Sequence, residues 1–279
     1  MPEVLSTKKR PKKLPPTAPP KKRNVLEHLQ KLRGHLVRAL VVALALAVVA
    51  FLNRHLIFDT ILLAPKSADF LTNVWLCYLG ERFDIGELCF NAEALKIVNY
   101  SMAGQFLTHL YVSVIAGIVV AFPYIIFETW SYLAYVLKIK SRRTTIATMI
   151  SGTILFVFGI LFSYFLIVPL TVNFLGTYHV SGDVQNHVTL GSYIGTIATL
   201  VLGVGVVFEL PVFIFFLAKY GTVSPKTLRK QRPIMIVVVV ILAAIITPPD
   251  VISQILVSIP LLILYEISIG VAAGVYPKG

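Results

Sequence analysis

The chain has 279 residues, of which 57% are apolar and only 14% are charged, and its mean hydropathy is +0.82. An average soluble domain is closer to half apolar and a quarter charged. Because one soluble core cannot hide this excess of apolar surface, most of the chain is predicted to lie in a lipid bilayer. The composition excludes a disordered, fibrous or disulfide-stapled secreted protein.

The first 24 residues are rich in proline and lysine, and much of the formal net charge of +12 comes from the N-terminal region. Ten lysines and arginines fall within residues 1–35. Residues 1–24 have no apolar period and are predicted to be a disordered, solvated tail. Although such a tail could bind nucleic acid, next to a membrane helix it indicates topology, so we expect no nucleic acid partner. We predict no signal peptide, because the first apolar run begins only at Leu36.

Residues 25–279 are predicted to form a membrane domain with six spans. A helix needs about 20 residues to cross roughly 30 Å of hydrocarbon. The fifth apolar segment has only 13 residues and requires a thinned bilayer or shielding by the protein. The fold class is therefore an all-α integral membrane protein whose fifth and sixth helices are short. The spans are predicted at about residues 36–52, 106–130, 145–168, 192–218, 234–246 and 251–273.

The charges between the spans set the topology. Cations follow the second span, at residues 138–143, and the fourth, at residues 219–232, while the opposite side carries more acids than bases. With six spans, these basic loops and the basic tail lie on one side of the membrane. The positive-inside rule therefore predicts that both termini are cytoplasmic.

Two features of the other side have open or structural interpretations. Cys77 and Cys89 lie in the long extracytoplasmic segment, where a disulfide is permitted, but two unpaired cysteines are an alternative. Pro248 and Pro249 end the fifth span, and Asp250 can cap the next helix. Structure alone explains this tight turn.

Glu209 is the acid predicted to lie deepest in the membrane. It precedes Lys219 by ten positions, or about 15 Å of helix, which places it near the bilayer midplane. Such acids are rare and usually face a protein or water-filled interior. A protonated, hydrogen-bonded structural glutamate is the alternative, but a neutral side chain would serve that role at lower cost, so a functional role is favoured.

The segment before the first span is predicted to be an interfacial amphipathic helix, with Glu27, Lys31 and Arg38 on its polar face. Glu27 and Lys31 can form an ordinary i,i+4 pair, or this face is available to a partner. No nucleophile elbow, zinc-protease motif, phosphate-binding loop or C-x-x-C motif is present, and the six histidines are scattered. We predict no enzyme activity, no cofactor and no metal site.

Six short motifs in order resemble the TatC family, the multispanning core of the twin-arginine protein translocase. The resemblance covers roughly Leu26 to the C-terminus. The motifs are His28-Leu29-x-x-Leu32-Arg33, Ala64-Pro65, Phe122-Pro123-Tyr124 with Trp130, Phe208-Glu209-Leu210-Pro211-Val212, Ser224-Pro225-x-x-Leu228-Arg229-Lys230-x-Arg232-Pro233, and Thr247-Pro248-Pro249-Asp250-x-x-Ser253-Gln254.

The resemblance implies a curved, concave arrangement of six helices in the bacterial inner membrane, with Glu209 as an intramembrane polar site that contacts a partner helix. It implies recognition of the paired arginines of signal peptides, assembly with single-span TatA and TatB subunits and membrane lipids in a larger homo-oligomeric complex, and export of folded proteins driven by the protonmotive force. The residues that we predict to take part in signal-peptide recognition are Glu27, His28, Lys31, Leu32, Arg33, Glu128, Tyr132, Ser141 and Arg142. The extracytoplasmic cap and turn comprise Pro65, Pro248, Pro249, Asp250 and Gln254.

Two positions depart from the family pattern. Lys31 and Ser141 stand where the family has acids that contribute to arginine recognition. Because guanidinium groups prefer carboxylate acceptors, we predict that Glu27, Glu128 or both replace them. Loss of strict arginine selectivity is the competing interpretation. A proton- or ion-coupled small-solute transporter that uses Glu209 is the alternative function, although no internal repeat favours it.

Overall fold

The computed structural model describes residues 25–67, 69–83, 97–136, 142–178, 181, 187–248 and 250–276, with no side-chain description at residues 25–28, 142, 144 and 252. The basic tail therefore lies outside the described residues. Five helical stretches within the described part are long and apolar enough to cross a membrane, and one shorter apolar helix accompanies them. The long stretches are Leu29–Leu52, Gly104–Val136, Thr145–Thr177, Leu190–Lys219 and Ser253–Val275.

The first two spans are continuous helices, α1 (Val25–Leu52) and, after a long connecting region, the 33-residue Gly104–Val136. The amphipathic start of α1 runs into the span without a break. Between these spans lie a π-helical turn at Leu56–Leu62, a 3-10 turn at Ala64–Lys66, helix α2 (Leu71–Phe83) and strand β1 (Ile97–Val98). The Gly104–Val136 helix is α3.

The third span is longer than predicted, because three helical pieces continue one another. They are α4 (Arg142–Phe162), a π-helical segment at Ser163–Ile167 and α5 (Val168–Thr177). Pro169 cannot donate to the carbonyl of Phe165, four residues earlier, and its ring would clash there in a regular helix. The wider π-helical turn accommodates the proline, and the hydroxyl of Thr72 on α2 donates to the Phe165 carbonyl instead.

The fourth span is broken into α6 (Leu190–Val207) and α7 (Leu210–Lys219), with Phe208 and Glu209 between them. Strand β2 (Val188–Thr189) precedes α6 and pairs in parallel with β1, so that Ile97 faces Val188. The sequence predicted neither α2 nor this two-stranded sheet. Both lie at the end of the molecule where α1 finishes and α3 begins.

The fifth span is short and the sixth is not. After the short α8 (Pro225–Lys230), α9 runs from Arg232 to Ile246 over 15 residues, as expected. The last helix, α10, runs from Val251 to Val275 over 25 residues and is long enough to span. The bounds of α10 agree with the predicted 251–273, and at this length the helix is not short.

The buried core surrounds α6, whose residues Ile194, Leu200 and Val204 are almost completely buried, and α6 packs against α3, α4 and α9. Outer faces stay apolar, as lipid contact requires. Ile255, Ile259 and Ile263 on α10, for example, are each more than half exposed at four-residue spacing. One turn of helix separates successive members, so they form a single outward stripe.

α1 and α3 approach closely at Gly117. A Cβ atom at this position would lie 2.6 Å from both the Ala43 carbonyl oxygen and the Ala47 amide nitrogen of α1. Because these are backbone atoms, the helices would have to move apart to admit even a methyl group. Gly117 therefore fixes the contact that brings polar residues of α1 and α3 together.

We expect Gly117→Ala to lower the free energy of unfolding by about 1–3 kcal/mol, the usual cost of overpacking. Gly34→Ala on α1 is the matched control, because its added methyl group would have no neighbour within 4 Å. Since alanine is the better helix former, Gly34→Ala should be neutral or stabilising. Thermal unfolding in detergent would measure both, and equal behaviour of the two variants would contradict the tight contact.

Candidate functional site

A cluster of polar side chains joins α1 to α3 in the half of the membrane where α1 begins. Arg38 donates from Nε to Glu128 Oε1 at 2.8 Å and from Nη2 to Oε2 at 3.0 Å. The Tyr124 hydroxyl donates to Oε1 at 2.7 Å, and His35 Nδ1 lies 2.5 Å from Oε2. We name these four residues the Glu128 cluster.

The spacing of the Glu128 cluster along α1 and α3 places each pair of residues on one face of its helix. His35 and Arg38 are three residues apart on α1, and Tyr124 and Glu128 are four residues apart on α3, so each pair shares one helix face. The close approach at Gly117 lets the two faces meet. A proton on His35 Nδ1 makes that nitrogen the donor to Glu128, and both carboxylate oxygens then accept from two side chains each.

Burial within the Glu128 cluster is unequal. The Glu128 side chain is 6% exposed, whereas that of Arg38 is 54% exposed. Every Glu128 oxygen is thus occupied by the chain's own donors, while the bound guanidinium remains accessible from outside. A ligand can reach Glu128 only by replacing one of these donors.

Glu209 occupies the break in the fourth span. It is the residue before α7, and its side chain forms no capping hydrogen bond. Its Oε1 atom is buried without a hydrogen-bond partner among the described residues. Gly152 on α4 leaves the necessary space, because a Cβ there would lie 3.0 Å from Glu209 Oε2. An unsatisfied carboxyl group is therefore held inside the membrane region, where it can accept or donate a hydrogen bond.

At the end of the molecule where α1 finishes, polar contacts join the chain between α1 and α3 to α5 and to the start of α6. Asn73 donates to the Ser67 carbonyl at 2.8 Å, and Asn173 of α5 donates to Asn73 at 3.5 Å. The Tyr193 hydroxyl of α6 donates to the Leu62 carbonyl at 2.9 Å. Pro65 is buried within this region, which indicates a packing role.

Asp250 caps α10 by accepting from the Ser253 amide at 2.7 Å. Gln254 donates to the Val240 carbonyl at 3.3 Å and so joins α10 to α9. Pro248 lies in the turn between these helices, and Pro249 lies outside the described residues. These contacts give the turn a structural explanation.

Cys77 on α2 is disulfide-bonded. Cys89, its proposed partner, lies outside the described residues. In the part of the chain that the structure describes, no group of three or more histidine, cysteine, aspartate or glutamate side chains could hold a metal ion.

The family model described as Sec-independent protein translocase protein (TatC) matches residues 27–260. This chain belongs to the TatC family. A TatC protein of Blattabacterium sp. subsp. Periplaneta americana is 34% identical over 254 residues, covering 90% of this chain and 96% of that protein. TatCy of Bacillus subtilis (strain 168) is 30% identical over 255 residues and covers 91% of both chains.

Solved TatC structures share the fold. A crystal structure of the twin arginine translocase receptor TatC matches with a TM-score of 0.65 and 28% identity over 88% of this chain and 98% of that chain. A second, in DDM, matches with a TM-score of 0.70 and 27% identity over the same shares. The predicted fold class, an all-α integral membrane protein with the TatC fold, is confirmed, and the five long spans together with the shorter α9 agree with the predicted six. The protein is a multi-pass translocase subunit of the inner membrane.

Among the predicted recognition residues, Lys31 packs against α3. Its ammonium nitrogen lies 3.6 Å from the centroid of the Tyr135 ring. Tyr132 meets the His35 ring edge-on, with ring centroids 5.9 Å apart. Leu32 is 41% exposed and Arg33 is also exposed. Ser141 lies outside the described residues, as do the side chains of Glu27, His28 and Arg142.

Sequence reasoning missed three members of the Glu128 cluster, Arg38, His35 and Tyr124, and one further acid. Glu266 lies on α10, nine residues or about 14 Å before its end, so Glu209 is not the only acid far from a helix end. Arg232 donates to Glu266 at 2.7 Å, and both side chains are about half exposed. Arg38, Glu128 and Glu266 lie inside apolar segments, where unpaired charges are costly, and Arg232 lies just before one. These positions were the signal for the two pairs.

Proposed function

We propose that this chain is the receptor subunit that binds twin-arginine signal peptides at the cytoplasmic face and carries folded proteins across the inner membrane. In this proposal both termini are cytoplasmic, transport is driven by the protonmotive force, and single-span TatA- and TatB-type subunits assemble with the chain into a homo-oligomeric complex. Membership of the TatC family supports the proposal. A small-solute transporter has no comparable observation in its favour.

The proposal rests on one observation, the two hydrogen bonds by which Arg38 binds the Glu128 carboxylate in a bidentate geometry. The carboxylate is a binding site for one guanidinium group, at the end of the α1–α3 contact nearest the basic loops. An arginine of a signal peptide can replace Arg38, because the two guanidinium groups are chemically equivalent and Arg38 is half exposed. Glu27, one turn of α1 before Lys31, is proposed as the acceptor for the second arginine.

This exchange explains selectivity for arginine over lysine. The planar guanidinium group presents two parallel N–H donors that match two carboxylate oxygens, whereas an ammonium group acts as a point charge. A lysine taking the place of Arg38 would leave part of the Glu128 carboxylate unsatisfied in a site that is 6% exposed. Such unsatisfied buried acceptors are costly.

Site-specific photocrosslinking tests the proposed function. Photoreactive residues at positions 27, 141 and 209 would be challenged with a radiolabelled precursor carrying Arg-Arg or Lys-Lys. We expect the Arg-Arg precursor to crosslink at positions 27 and 141 at least tenfold more strongly than the Lys-Lys precursor, and to reach position 209 once it inserts. A probe at exposed Lys226 on α8 is the control from the same side. Equal crosslinking of both precursors, or strongest crosslinking at position 226, would contradict the proposal.

A further inference from the structure

A separate cleft of about 530 Å³ opens between α4, α7 and the end of α10. It does not include any member of the Glu128 cluster. Arg143, in the first turn of α4, and Lys219, the last residue of α7, both line it. The start of the third span and the end of the fourth lie on the same side of the membrane, so both cations are at the cytoplasmic mouth in the proposed orientation.

The lining of the cleft changes from cationic to apolar with depth. Ser151 follows Arg143 by two turns of α4, and Leu155, Val212 and Phe215 line the interior. From Arg143 to Leu155 there are 12 residues, or about 18 Å of helix. One leaflet contributes about half of the roughly 30 Å hydrocarbon thickness. The cleft therefore extends from the headgroup level to about the middle of the bilayer.

The two cations at the mouth are available to a ligand. Arg143 is exposed, and neither Arg143 nor Lys219 forms a salt bridge with any described carboxylate. The Lys219 ammonium group lies 5.3 Å from the centroid of the Phe215 ring, which leaves its hydrogen-bond donors free to turn outward. Basic pockets between membrane helices on this side are typical sites for anionic lipid headgroups.

We propose that this cleft binds one anionic phospholipid of the cytoplasmic leaflet, with the phosphate between Arg143 and Lys219 and an acyl chain along the apolar lining. An apolar partner helix would cover the interior but leave the two cations at the mouth without a counter-charge. A free phosphate ion would use the cations but leave the apolar interior empty. A lipid would place its phosphate between the cations at the mouth and its acyl chain in the apolar interior.

Native mass spectrometry of the purified chain tests the proposal by titration with dioleoyl phosphatidylglycerol or dioleoyl phosphatidylcholine. We expect saturable binding of one phosphatidylglycerol and at least tenfold weaker binding of phosphatidylcholine. Arg143→Gln combined with Lys219→Gln should weaken phosphatidylglycerol binding roughly 30-fold, from the usual contribution of two surface cations. Lys226→Gln combined with Lys230→Gln removes the same charge from α8, outside the cleft, and should change binding less than threefold.

A separate variant tests the apolar end of the cleft. Ala147→Trp fills the lining while keeping both cations, and we expect it to weaken phosphatidylglycerol binding at least tenfold. Thermal unfolding would confirm that each variant is folded. Unchanged binding by the Arg143/Lys219 double variant, equal binding of the two lipids, or displacement of lipid by millimolar inorganic phosphate would each overturn the proposal. Crosslinking of a single-span subunit from position 147 without bound lipid would also overturn it.

Discussion

Replacing Glu209 with leucine is expected to reduce export of a folded twin-arginine reporter at least tenfold and to impair assembly with the single-span subunits. The variant should nevertheless be at least as stable as the native chain. Glu209 Oε1 has no hydrogen-bond partner among the described residues, so leucine removes the cost of burying a polar group and breaks no described contact. Reporter export in cells lacking other TatC, together with thermal unfolding of the purified protein, would measure both effects.

Glu209→Gln separates the need for a polar group from the need for an ionisable one. It keeps hydrogen-bonding capacity next to Gly152 and should retain more export than the leucine variant. Normal export and assembly by Glu209→Leu would show that the buried acid has no part in transport. Loss of export together with a clear loss of stability would instead assign Glu209 a structural role.

Removing Arg38 is expected to strengthen binding of a twin-arginine peptide severalfold, whereas removing the acids should weaken it at least tenfold. In the proposed exchange the peptide must displace Arg38 from Glu128, and Arg38→Gln removes this competitor. Glu27→Gln combined with Glu128→Gln removes the carboxylate acceptors, and hydrogen bonds to charged groups contribute about 1.5–3 kcal/mol each. Fluorescence anisotropy with labelled Arg-Arg and Lys-Lys peptides, on protein in nanodiscs, would measure the affinities.

Glu266→Gln is the matched control for the peptide-binding variants, because it neutralises the acid of another described ion pair, which is half exposed. Exposed pairs contribute little, so both stability and peptide binding should change only slightly. If Arg38→Gln weakened peptide binding as much as Glu128→Gln, the Glu128 cluster would only stabilise the packing of α1 on α3 and would not bind the peptide directly. Unchanged binding after loss of both Glu27 and Glu128 would exclude them as acceptors.

The spans could be predicted from sequence because a bilayer requires long apolar helices, and that requirement acts on each segment separately. Asp250 was recognisable as a cap for a similar reason, since its partner Ser253 is only three residues away. The bounds of α10 were predicted to within two residues, since its apolar run continues through Pro260. Proline within a span is tolerated where neighbouring helices or side chains satisfy the released carbonyl.

The Glu128 cluster could not be derived from sequence because its two halves are 90 residues apart. Only the packing of α1 on α3, through a glycine that admits no side chain, brings Arg38 to Glu128. Sequence reasoning identified Glu128 as an acid near the recognition surface but treated it as vacant. The sequence did not show that the guanidinium group of Arg38, in the same chain, already binds Glu128. The pairing of β1 with β2 was likewise invisible, because two-residue strands have no periodicity to detect.

The hydrogen bonds at the end of the molecule that holds β1 and β2 restrict how the protein can deform. Backbone pairing of β1 with β2, together with the bonds from Tyr193 to Leu62 and from Thr72 to Phe165, ties the starts and finishes of neighbouring helices into a common rim. The α1–α3 pair is joined at its other end by the ion pair of Arg38 with Glu128. If a signal-peptide arginine displaces Arg38 as proposed, we expect α1 and α3 to separate at that end and pivot about the rim.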